Sequence, residues 1–196
     1  MSLGGVEVGI ETPLNRLPTT GSVVAVASSP VHGFSKPTVD RIMLIEGQGV
    51  KGDAHAGKYV RHRYLAKRKP SLANLRQIHL MPSELFCELR AVGYDVGPGE
   101  LGENVTTLGL PLAELPLGTI IRLGLAATVE LTGLRTPCML IDRFRKGLRK
   151  QMVGTVGGSR FRCGILAVVR TGGPVIAGDA ASAELPPEPW VTLPPL

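Results

Sequence analysis

The chain has 196 residues, 43% of them hydrophobic and 19% charged, with a formal net charge of +6. That length fits one domain, or two small ones, and buries a core without staples. The apolar content excludes a disordered chain, and no apolar run reaches the ~20 residues of a membrane span. With 25 Gly and 16 Pro but only one Trp, three Tyr and four Phe, the composition favours many turns and short aliphatic strands over a helical bundle.

Residues 1–20 read as an irregular N-terminal arm whose first three residues look like a cloning remnant. They show no secretory leader pattern. Gly21–Ala27 and Arg41–Glu46 alternate as strands. A Gly-rich loop follows, Gly47 to Gly57, and then a basic insert from Lys58 to Lys69. Leu75–Met81 alternates as a third strand, with Arg76 and Ile78 on one face and Gln77 and His79 on the other. Ser83–Val92 has helical periodicity, with Leu85, Leu89 and Val92 on one face, Ser83 as cap and Gly93 as stop.

A second Gly-rich loop runs from Gly97 to Asn104. Leu117–Leu123 and Ala126–Thr132 form a hairpin about Gly124, and a second helix follows Arg135-Thr-Pro-Cys138, with Leu140, Ile141, Phe144 and Leu148 on one face. Phe161–Arg170 and Val175–Ala177 read as a last hairpin. Residues 21–180 form the domain, and 181–196 a Pro-rich, extended tail. Many short strands with two helices make a mainly β protein, a barrel or a sandwich with helical inserts.

The positive charge is clustered in the 58–69 insert and again at Arg143, Arg145, Lys146, Arg149 and Lys150. Such a chain suits anionic partners, although basic runs are commonly just solvated faces. Few aromatics and no recognisable motif argue against nucleic acid. The cysteines are Cys87, Cys138 and Cys163. An odd number without CxxC spacing argues against a disulfide framework and a structural zinc site. A reducing, cytoplasmic compartment is the simplest reading.

Cys138 carries the strongest chemical signal. Thr136 is placed to cap the helix, Pro137 suits its first position, and Cys138 then takes the second. Unpaired N–H groups and Arg135 both favour thiolate over thiol there. The alternative is a cysteine that simply packs in the core. Cys87, in mid-helix, and Cys163, opening a strand, read as structural, with Cys163 also conceivable as a resolving thiol.

Three further sites have polar chemistry. Gly52, Asp53 and His55 sit in a loop whose amides can cradle an anion and whose histidine can shuttle protons. Asp53 can equally bond its own turn. Glu103 and Asn104 close the second Gly-rich loop, where the Asn amide can read a heterocycle edge or cap a turn. His79 reads as a hydrogen-bonded core histidine.

These pieces together resemble the MOSC domain family, named after the C-terminal domain of molybdenum-cofactor sulfurase, in its short bacterial form. The resemblance rests on Gly49-Val-Lys-Gly-Asp-Ala-His-Ala-Gly57, Arg76-Gln-Ile-His79, Gly99-Glu-Leu-Gly-Glu-Asn-Val105, Leu117-Gly-Thr-Ile-Ile-Arg-Leu-Gly124, Leu131-Thr-Gly-Leu-Arg-Thr-Pro-Cys138 and the segment from Gly164 to Asp179. It covers most of residues 21–180.

The resemblance implies a β-barrel and a key cysteine at Cys138. It further implies a molybdenum cofactor, molybdopterin-based, or a persulfide at that thiol. Cys138 would ligate molybdenum. Arg135, Arg76, Asn104, Glu103 and Gly52 would hold the cofactor, and His55 and Asp53 would relay protons or support the loop. Reduction of N-hydroxylated compounds is the implied activity, with electrons from a separate protein. A sulfur carrier fed by a sulfur donor is the alternative.

Overall fold

Seven of the described strands form a closed ladder. The computed structural model describes residues 18–60, 71–156 and 159–196. The arm before Pro18 and most of the basic insert therefore lie outside the described residues. The strands are β1 (Thr20–Ala27), β2 (Thr38–Val39), β3 (Arg41–Ile45), β4 (Gly49–Val50), β5 (Ile78–Pro82), β6 (Val105–Leu108), β7 (Ile120–Leu123) and β8 (Ala127–Leu134). They continue with β9 (Val153–Val156), β10 (Ser159–Phe161), β11 (Ile165–Thr171), β12 (Gly173–Ile176) and β13 (Ala180–Glu184). The described residues add three short helices: α1 (Glu84–Ala91), α2 (Met139–Phe144) and α3 (Leu148–Gln151).

Strands β13, β7, β8, β11, β5, β6 and β1 form one ladder, and β1 pairs with β13 to close it. The protein is thus mainly β and a barrel, the first of the two architectures that the strand pattern left open. Within that ladder β5 and β6 run parallel, and the connection between them carries α1. Closure leaves the barrel no free edge to pair with another chain.

Two cores result. Ile78, Leu80, Val105, Val129, Leu131 and Ile165 belong to the barrel interior. Met81, Leu85, Phe86, Leu89, Ile141 and Leu148 belong to a second cluster under the helices. Strand β5 is buried on both faces for this reason. Ile78 and Leu80 point into the barrel, while His79 and Met81 point outward beneath other elements. Each fully buried Leu or Ile contributes about 1.5–3 kcal/mol.

Several expectations are corrected. The third strand starts at Ile78, not Leu75. Asn74 is the cause: its Oδ1 accepts the Arg76 N–H, and its Nδ2 donates to the carbonyls of His55 and Gly57. These local bonds compete with the ladder, so strand alternation does not govern Arg76.

In α1, Ser83 occupies the cap position with helical backbone angles and makes no side-chain cap bond. Gly93, at φ +89°, follows the helix end as expected. Val92 is 56% exposed, beyond the apolar face. Cys87 is exposed rather than packed in the core. Two positions are about 200° round a helix, which puts it opposite Leu85.

The second helix is broken. Arg145 is extended and Gly147 left-handed, so α2 and α3 are separate turns. Phe144 and Leu148 still reach the second core, but Leu140 is 43% exposed. The last predicted hairpin is absent: β11 pairs with β8 and β5, whereas β12 pairs with β3 in a second sheet. The Gly172-Gly173 turn hands the chain from one sheet to the other. The C-terminal residues run beside β8, where Leu134 N–H donates to Pro194 O and Leu196 N–H to Leu134 O. Among the described residues, no helix is long and apolar enough to cross a membrane.

Candidate active site

A cavity of about 200 Å³ opens where α2, the loop before β2 and the start of β5 meet. Its lining brings together Cys138, Arg135, Arg76, His55 and Asn104, five of the residues singled out from the sequence. Lys36, Phe34 and His79 join them. Arg76 and His79 meet on the same cavity because Arg76 lies outside the pleat.

Cys138 is exposed and sits at the cap position of α2, with extended backbone angles. It therefore precedes the helix instead of occupying its second position, and α2 is only six residues long. Thr136 does not cap the helix either, since its hydroxyl donates to Leu196 O.

Asp53 does not line the cavity but organises it from behind. Its Oδ2 accepts from Lys36 Nζ at 2.8 Å, Asn104 Nδ2 at 3.1 Å and Ser29 N at 3.3 Å. Its Oδ1 accepts from His55 N at 2.9 Å and lies 3.3 Å from His55 Nδ1. Burial pushes the Asp53 carboxyl up, but the His55 hydrogen bonds and the Lys36 charge outweigh it and hold it well below the ordinary range. Burial lowers the Lys36 ammonium, and Asp53 offsets part of that.

Lys36 is the functional candidate that sequence reading missed. It sits in a Gly- and Pro-containing loop, and its partner is 17 positions away, so no local pattern marks it. The loop is docked by backbone: Lys36 N–H donates to Gly99 O at 2.8 Å. Gly99 has φ +82°, and a Cβ there would collide with Lys36 O. The second Gly-rich loop thus makes room for the lysine loop.

Asn104 ties three segments together. Its Oδ1 accepts from His79 N, and its Nδ2 donates to Ala27 O and Asp53 Oδ2. Both amide hydrogens are therefore spent on the protein, and the side chain acts as a wall tie. Glu103 is fully buried beneath the site, where its Oε1 accepts from Gly99 N and from the Thr106 hydroxyl, and its Oε2 has no partner. Burial raises its carboxyl above the usual value, against the pull of the Gly99 N–H. Gly52, at φ +79°, is exposed at a loop tip and lines no part of the cavity.

His79 is buried, as the sequence reading held, and also forms part of the cavity wall. Its Nε2 donates to Cys163 O at 2.9 Å, which fixes the proton on that nitrogen. Burial, and then the Arg135 charge, drive its pKa well below the ordinary value of 6.5. Cys163 is buried too. Its thiol donates to Arg135 O at 2.6 Å, and burial pushes it up to about 11. Arg135 is held further by Nη1 on Leu101 O at 2.6 Å and by its guanidinium over the Phe34 ring at 5.8 Å.

Among the described residues, no carboxylate is within ion-pair distance of Arg76 or Arg135. Burial and the nearby Arg135 both disfavour the Arg76 charge. An anion brought into the cavity would offset that cost. No group of three or more His, Cys, Asp or Glu side chains gathers for a metal ion among the described residues. Cys138 is the thiol that the cavity presents.

The MOSC domain family matches residues 67–182, a span that omits β1 although β1 closes the barrel. No curated protein matches the chain. The solved YuaD protein of Bacillus subtilis is similar at 22% identity over 86% of this chain and 97% of its own, with a TM-score of 0.69. YiiM of Escherichia coli is also 22% identical, over 89% of this chain and 74% of its own, at a TM-score of 0.61. YiiM of Geobacillus stearothermophilus is 22% identical over 88% and 77%, at 0.58. At those identities the likeness is one of fold. With more than half of its residues inside the family match, the chain belongs to the MOSC domain family.

Proposed function

We propose that the cavity at Cys138 binds a molybdenum–pterin cofactor and that the protein reduces N-hydroxylated compounds with it. The observation that carries this reading is the pairing, on one cavity, of an accessible thiol with two arginines that have no carboxylate partner among the described residues. A thiolate is a soft ligand suited to such a metal, and guanidinium forks suit a phosphate. The donor set therefore fits the group. The enclosed volume of 200 Å³ is below the ~300–1,000 Å³ of usual ligand pockets. The cavity would thus hold only part of such a cofactor.

Cys138 would supply the protein thiolate, while Arg76 and Arg135 would hold the phosphate. Lys36, locked by Asp53, adds positive charge beside them. When bound, such a cofactor supplies a two-electron metal couple. Cleavage of an N–OH bond takes two electrons and two protons and yields N–H and water. His55 is the proton relay of the chain in this reading: with Nδ1 turned to Asp53, Nε2 is the ring nitrogen through which it would exchange a proton with the cavity. His79, buried and donating to Cys163 O, keeps the wall rigid and takes no proton.

The test is turnover. Protein made anaerobically in a cofactor-competent host, given reduced methyl viologen, should convert an N-hydroxylated purine to its amino form. Cys138→Ala should not. Equal turnover by both would overturn the reading.

The exposure of Cys138 also favours the sulfur-carrier alternative. Its thiolate attacks the outer sulfur of a donor persulfide, the donor leaves as thiolate, and Cys138 gains one sulfur atom. A reducible mass gain of one sulfur at Cys138, in protein that binds no molybdenum, would select this reading.

A further inference from the structure

A second cavity of about 410 Å³ stands behind the first, within the ~300–1,000 Å³ typical of small-molecule sites. Its buried lining is apolar and includes Leu85, Leu110, Leu112 and Ile165. Gly164 lines the second, His79 lines the first, and a Cβ on Gly164 would collide with the His79 ring. Gly164 O also accepts the Arg135 N–H at 2.9 Å.

The charged part of this lining departs from the rest of the molecule. The chain as a whole is basic, at +6, yet this cavity presents Glu84, Glu88 and Glu114 against a single Arg162. Arg162 is neutralised by its ion pair with Glu88. Among the described residues, no cation pairs with Glu84 or Glu114. Glu84 is also oriented: its Oε1 accepts the Gly109 N–H at 2.7 Å, while its Oε2 is buried with no partner. A buried acceptor left unmade is costly, and a donor brought by a ligand removes that cost.

We propose that this second cavity binds an apolar cation, an ammonium or amidinium group carried on a hydrocarbon body. The hydrocarbon fills the leucine-lined interior. The cationic N–H groups satisfy Glu84 Oε2 and face Glu114. An anion of the same shape meets two carboxylates, and a neutral alcohol leaves their charge uncompensated.

Three probes with one tail separate these cases: octylammonium chloride, 1-octanol and sodium octanoate, titrated calorimetrically into the full chain at one pH and salt concentration. The expected order is octylammonium at least about tenfold tighter than octanol, with octanoate weakest. Amide shifts in the 15N spectrum should centre on Leu85, Gly109 and Gly164. In a Glu84→Gln, Glu114→Gln double variant, the ammonium preference should vanish while octanol binds as before, which shows the cavity intact. No binding of octylammonium, equal affinity for all three probes, a preference that survives in the double variant, or shifts centred elsewhere would each overturn the proposal.

Discussion

The Lys36 ammonium lies 2.8 Å from the Asp53 carboxylate, and both side chains are almost wholly withdrawn from water. The pair joins the loop before β2 to the Gly-rich loop after β4, and Asn104 ties both to the barrel wall. Breaking a buried ion pair from one side leaves an uncompensated charge, at about 3–5 kcal/mol. Asp53→Asn should therefore be strongly destabilising in urea melts. Lys36→Met with Asp53→Asn should recover much of that loss, and the double-mutant cycle should show clear coupling. The Asp53 pKa is depressed in the fold, so its stabilising contribution is complete above its ordinary 3.8 and erodes as pH falls below that.

His79 gives the protein a second acid sensitivity, nearer neutrality. Its folded pKa is well below 6.5, so the unfolded chain binds more protons than the native state once pH falls below that value. Stability is then complete above pH 6.5 and declines below it, by up to about 1.4 kcal/mol per pH unit. Melting curves from pH 7.5 to 5.5 should show this decline in the wild type and a shallower one in His79→Asn. Equal slopes would contradict it.

How much of this was legible in the sequence differs from residue to residue. Cys138, Arg135, Asp53 and His55 stood out because Gly, Pro and charge mark their loops locally. Five of the seven barrel strands stood out from their apolar patterning, whereas β6 was not read as a strand and β13 fell largely in the segment read as an extended tail. Lys36 was invisible, since its meaning comes from a carboxylate on another loop. Arg76 was misplaced because an Asn74 side chain, not strand pleat, sets its direction. Val92 was assigned to an apolar face that is narrower than a simple count implies, and Cys87 was read as structural although it turns to solvent. The break between α2 and α3 had a signal in Gly147, outweighed by the continuous apolar spacing through Leu148. The β11 to β12 turn looked like a hairpin because sequence cannot tell a return within one sheet from a transfer to another.

Glu103 offers a test of how the second Gly-rich loop is held. Its raised carboxyl means that the charged form is disfavoured in the fold, so its effect on stability worsens as pH rises above its ordinary 4.5. Glu103→Gln should stay within about 1 kcal/mol of the wild type at pH 7 and flatten that dependence. Glu103→Ala strands the Gly99 N–H and the Thr106 hydroxyl and should cost about 1–3 kcal/mol for each.

The three cysteines should separate cleanly by reactivity. Cys87 and Cys138 are exposed, whereas Cys163 is buried and its thiol is pushed up to about 11. Brief treatment of the native protein with iodoacetamide at pH 7.5, read by peptide mass spectrometry, should label Cys87 and Cys138 and spare Cys163. Labelling of Cys163 before unfolding would contradict the packing of its thiol against Arg135 O.

The central claim is that Cys138, with Arg76 and Arg135 beside it, holds molybdenum. The most direct measurement is the molybdenum content of anaerobically produced protein, by inductively coupled plasma mass spectrometry, for wild type and Cys138→Ala in parallel. Cys138 is exposed, so the variant should fold as the wild type does, within about 0.5 kcal/mol. Near-stoichiometric metal in the wild type and little in the variant is the predicted result. Equal metal in both, or none in either, would contradict it.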